Sequence, residues 1–166
     1  MDNSQIMREA IRKEAFIAAA MNVMVGAVLF LIVFGWERAA TSSLAIDFLP
    51  QTMGMTFVGG TVCSLICLSK VHKGKLLPAG PIPSRRMQVL RVAGIAAAST
   101  LLFGGGSALL LATFGPTGFA PAPALAIKSL YGAVMGLVTT PPIARMALGL
   151  TFWSYDMRGA IGTAKS

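Results

Sequence analysis

Cys63 and Cys67 stand four residues apart, a spacing that puts both thiols on one face of a helix. With Met21, Met24, Met53, Met55 and Met135 they could form a soft site for Cu(I) or a similar metal. Apolar packing is the stronger reading of the same residues, because cysteine and methionine are ordinary core fillers, and no metal site is assigned. A strain-free disulfide between positions i and i+4 of a helix is not expected either. The single histidine, His72, lies beside Lys70 and Lys73, so paired axial histidines for a haem are absent. Gly104-Gly105-Gly106 is followed by no lysine and does not make a phosphate cradle. Paired carboxylates for general acid–base work are missing from the apolar segments. A non-enzyme without a cofactor is the expectation.

Three polar side chains fall in or at the ends of apolar stretches: Asn22, Gln51 and Lys128. Polar groups in a bilayer are costly, and so are the default functional positions of a membrane chain. Asn22 is expected to hydrogen-bond between helices, a contact worth about 1 kcal/mol in bilayers. Lys128 is expected either to snorkel outward or to find an acidic partner.

Such residues need long helices to hold them. Four nearly charge-free stretches run roughly over 16–36, 48–68, 89–114 and 124–148. Each is at least as long as the ~20 residues that a helix needs to cross a bilayer. Mean hydropathy is +0.71, with 55% hydrophobic and only 12% charged residues, too few charges to cover a soluble domain of 166 residues. The predicted fold is all-α: one integral membrane domain over 1–166, a four-helix bundle with a basic loop at 69–88.

The net charge of +8 is distributed as topology requires. Lys70, Lys73, Lys75, Arg85, Arg86 and Arg91 crowd the link between spans two and three, and Arg8, Arg12 and Lys13 precede span one. Both termini and this loop are therefore expected on the cytoplasmic side of the membrane. Nucleic acid is not an expected partner; the bilayer, through its anionic headgroups, is. The first apolar run is too long for a signal-peptide core and is read as a retained span.

Local signals give further expectations. Residues 2–15 suit an interfacial helix continuing into span one. Asp47 is placed as the N-cap of span two, with Pro50 in its first turn. Pro141-Pro142 should kink or end span four near Thr140, with Arg145 snorkelling to the headgroups and Phe152, Trp153 and Tyr155 forming an aromatic belt. Small residues four apart (Ala18, Asn22, Gly26; Gly60, Ser64; Gly94, Ala98; Gly132, Gly136, Thr140) suit close helix contacts. The triple glycine at 104–106 admits a very close neighbour or a bend.

The halves also share landmarks in one order. Arg12, Ile17-Ala-Ala-Ala20, Phe34-Gly35 and Leu44-Ala-Ile-Asp47 are matched by Arg91, Ile95-Ala-Ala-Ala98, Phe114-Gly115 and Leu125-Ala-Ile-Lys128. Duplication would give two parallel-repeat helical hairpins about an axis along the membrane normal; chance matching of apolar sequence is the alternative. On the first reading Asp47 and Lys128 face each other and can pair near the outer surface. On the second, Asp47 only caps its helix.

Asp47-Phe-Leu-Pro-Gln51 after a first span, the basic link, and Lys128…Tyr131-Gly132-Ala133 leading to Thr139-Thr-Pro141 resemble small four-span bacterial inner-membrane proteins, loosely called permeases. The resemblance covers most of the chain and implies the fold, but no activity or site residue. The expected role is that of an accessory or assembly subunit packing against partner spans. The alternative is a small oligomeric transporter or channel for a small solute.

Overall fold

The computed structural model describes residues 3–150, Ala79 excepted, and these form five α-helices and two very short strands. Helix α1 runs Asn3–Phe34, strand β1 Ala39–Ala40 and helix α2 Thr41–His72. Helix α3 (Arg85–Ser99) continues through a π-helical stretch, Thr100–Gly105, into α4 (Gly106–Phe114), making one rod. Strand β2 is Gly118–Phe119 and helix α5 is Pro121–Ala147. The segments Gln5–Phe34, Thr41–His72, Arg85–Phe114 and Pro121–Ala147 are each long and apolar enough to cross a membrane.

Every expected stretch is helical, and the helices overrun the apolar segments at most ends. Residues 3–15 belong to α1, and α2 begins at Thr41, so Asp47 is not its N-cap. A tertiary contact overrides the local cap signal. Ala39 pairs with Phe119 and Ala40 with Gly118 in an antiparallel bridge, and Thr41 Oγ1 donates to the Pro116 carbonyl. The helix is thus started six residues before Asp47, whose carboxylate is left for another partner. His72 is the last residue of α2 rather than a loop residue, donating from Nδ1 to the Leu68 carbonyl at 2.9 Å. The basic connection narrows to 73–84, where Gly74 turns the chain at φ +65° and the Lys75 amide donates back to the Lys70 carbonyl at 2.9 Å.

Pro141 and Pro142 do not end span four; α5 runs through both to Ala147. Each removes an amide donor, yet the following turn is held by side-chain burial, with Ile143, Ala144 and Ala147 fully enclosed. The aromatic residues 152, 153 and 155 lie outside the described residues.

Helix pairing is not sequential. The most extensive interface joins α1 to α5, antiparallel, and the α3–α4 rod lies antiparallel on α2. Helices α2 and α5 run parallel at the centre, while α1 and α2, though joined directly, scarcely touch. Neither half is therefore a hairpin packed on itself, a correction to the simplest form of the repeat. Each half instead lays its first helix on the returning helix of the other. One end of the molecule gathers residues 3–14, the 73–84 connection and the C-terminal end of α5. The other end carries the β1–β2 bridge.

Candidate functional site

At the bridge end, an ion pair joins α2 to α5. Lys128, on α5, is 1% exposed, and its Nζ forms an ion pair with Asp47 Oδ2 of α2. The Asp47 side chain retains 24% of its exposure. The Phe34 ring of α1 lies 5.6 Å from the ammonium, close enough for a cation–π contact. Phe30, Ala39, Leu44, Phe48 and Ala124 form a fully apolar cluster around this corner. Phe30 stacks on Phe34 with centroids 5.2 Å apart.

One turn inward, the Thr52 and Tyr131 hydroxyls hydrogen-bond across the same two helices. Thr52 Oγ1 also lies 2.5 Å from the Phe48 carbonyl, and the Tyr131 ring meets Phe48 edge-on at 4.5 Å. The α3–α4 rod closes in at Gly104, where a Cβ would stand 3.1 Å from Thr52 Oγ1 and 3.2 Å from the Phe48 carbonyl. Of the two roles foreseen for the triple glycine, this close approach is observed, and it falls within the π-helical stretch. Such stretches are frequent at functional positions.

Asp47 and Lys128 are thus brought together, as the aligned Leu-Ala-Ile motifs allow, although the pair is far better enclosed than one at an open interface. Asn22 enters the α1–α5 contact through its backbone: its carbonyl oxygen is 2.9 Å from where a Gly132 Cβ would stand. Arg145 is half-buried on α5, at the opposite end from Lys128. Cys63 and Cys67 are buried with Met7, Ile11, Leu76, Ala144, Ala147 and Leu148 in an apolar cluster. Met53 instead accepts a hydrogen bond from Thr100 Oγ1 of the α3–α4 rod at 3.7 Å.

Besides the Thr52–Tyr131 and Thr41–Pro116 hydrogen bonds, two interhelical polar contacts escaped the sequence reading. Glu14, 6% exposed, pairs with Lys70 between α1 and α2, and Gln88 donates to Ser64 Oγ at 3.0 Å between α3 and α2. The signal for the first was an acid about three turns inside α1, whose neighbours Arg12 and Lys13 made the whole segment look solvated. Between α1 and α2 lies a groove of about 410 Å³, lined mainly by apolar side chains such as Ile17, Met21, Val25, Val58 and Val62, and crossed by Gln51.

No protein-family model, curated protein or solved structure matches this chain. Its class is therefore defined by its own architecture: an all-helical protein with four helices long and apolar enough to span a membrane.

Proposed function

We propose that this is a multi-pass protein of a bacterial inner membrane, without catalytic activity, serving as an accessory or assembly subunit within a larger membrane complex. The observation carrying this reading is an imbalance of burial. The most apolar windows of α1 and of the Arg85–Phe114 rod are only 17% buried, against 44% for α2. Two helices thus turn most of their apolar surface outward, where only acyl chains or other spans can cover it. The central polar contacts tie α2 to α5, which suits a scaffold with a fixed shape. The shared landmarks, the exchange of first helices and the mutual β1–β2 bridge support descent from a duplicated half, with Asp47 and Lys128 at equivalent places.

Native mass spectrometry of mildly solubilised membranes tests the role. A stable hetero-complex is the expected result. A homo-oligomer would overturn it in favour of the transport reading, and a lone monomer would overturn it outright.

The basic residues at one end of the molecule support cytoplasmic termini. In a background with Cys63 and Cys67 replaced by alanine, Ser84→Cys should react with an impermeant maleimide only after permeabilisation. Ser42→Cys should react in intact cells. The reverse pattern would invert the orientation.

A further inference from the structure

The groove between α1 and α2 has a shape, a charge and a missing partner that point to one occupant. Its α1 wall extends from Glu14 to Leu29, about 22 Å at 1.5 Å per residue. A helix about 10–12 Å wide and of that length occupies on the order of 2,000 Å³, well beyond the groove's volume of about 410 Å³. A single extended hydrocarbon chain suits it better. The slot is also longer than half of the roughly 30 Å hydrocarbon core, so it can take a whole acyl chain from one leaflet.

The mouth is built for a headgroup. Ile17 and Ile66 are the groove residues before it, and one helical turn beyond them stand Lys13 on α1 and Lys70 on α2. Lys13 is exposed, and the Lys70 side chain keeps 32% of its exposure although it is paired with Glu14. Two ammonium groups against one carboxylate leave this end net positive, complementary to a phosphate. At the far end the Gln51 amide reaches across toward Gly26, its nitrogen 3.3 Å from where a Cβ would stand, and narrows the slot.

We propose that this groove binds one anionic phospholipid, its acyl chain lying between α1 and α2 and its phosphate held at Lys13 and Lys70. The proposal rests on the membrane reading above. The bound lipid supplements the few contacts that α1 and α2 make with each other. It thereby completes the wall between the two helices.

Gly59 lines the groove, and a Cβ there meets nothing within 4 Å. Gly59→Leu therefore starts from an unobstructed Cβ, puts a bulky side chain into the slot and improves helix propensity; its helical content is checked by circular dichroism. Wild type, Gly59→Leu and Lys13→Gln are reconstituted in nanodiscs of phosphatidylcholine with a minority of phosphatidylglycerol. Lipid retained after the annulus is stripped is then counted by native mass spectrometry. One phosphatidylglycerol per wild-type chain is expected, reduced at least about tenfold in Gly59→Leu. Lys13→Gln should retain lipid but lose the preference for the anionic headgroup. Equal retention by wild type and Gly59→Leu, or retention of phosphatidylcholine alone by wild type, would overturn the proposal. Failure of the chain to enter bilayers at all, read by carbonate extraction, would instead remove the membrane reading.

Discussion

Asp47→Ala should destabilise the protein by about 3–5 kcal/mol, whereas Lys128→Met should cost clearly less. The asymmetry follows from exposure: Lys128 is 1% exposed and Asp47 24%. Removing the carboxylate takes the ion-pair partner from a buried ammonium, leaving the cation–π contact with Phe34, and an unpaired buried charge is expensive. Removing the ammonium leaves a carboxylate that can still reach water or headgroups. The double variant, Asp47→Ala with Lys128→Met, should recover most of the loss, because an apolar pair of similar bulk avoids both desolvation penalties. Unfolding in bicelles, read by circular dichroism over a double-mutant cycle, supplies the four free energies. Two single variants each costing under about 1 kcal/mol would mean that the pair is screened like a surface salt bridge.

Helix positions were legible in this sequence because apolar length is a strong signal in a membrane-like chain. The Asp47–Lys128 meeting was legible only through the matched Leu-Ala-Ile tripeptides, which place two residues of opposite charge at equivalent points. What escaped is what depends on the neighbour rather than on the segment. The start of α2 was misplaced because Asp47 and Pro50 look like a cap and a first turn, while the bridge between 39–40 and 118–119 starts the helix earlier. Of the kink or break expected at the proline pair, the break is absent, and the enclosed residues that carry the helix on, from Ile143 to Ala147, are visible only once α5 is packed. Which helices touch was not readable either. Small-residue stripes occur on every span, and they name a surface without naming what lies against it.

One of those stripes now has a defined partner, and it carries the other large expected effect. Gly132 and Gly136 on α5 face Asn22 and Ala19 on α1, along the most extensive interface in the protein. A Cβ added at Gly136 would stand 2.6 Å from both the Ala19 nitrogen and its Cα, and 2.9 Å from the Ala18 carbonyl carbon. These are backbone atoms, so no rotamer change relieves the clash; α1 itself must move away. Gly136→Val is therefore expected to exceed the usual 1–3 kcal/mol of an overpacked core and to separate α1 from α5 along this stripe. Gly136→Ala should show the same effect, reduced but still destabilising, even though alanine favours a helix by about 1 kcal/mol over glycine. Gly54→Ala on α2 is the matched control, because a Cβ there meets nothing within 4 Å. It should leave stability unchanged or raised by up to about 1 kcal/mol. Thermal unfolding of the three variants in one detergent compares them directly. Gly136→Ala as stable as wild type would mean that α1 and α5 do not approach at this point.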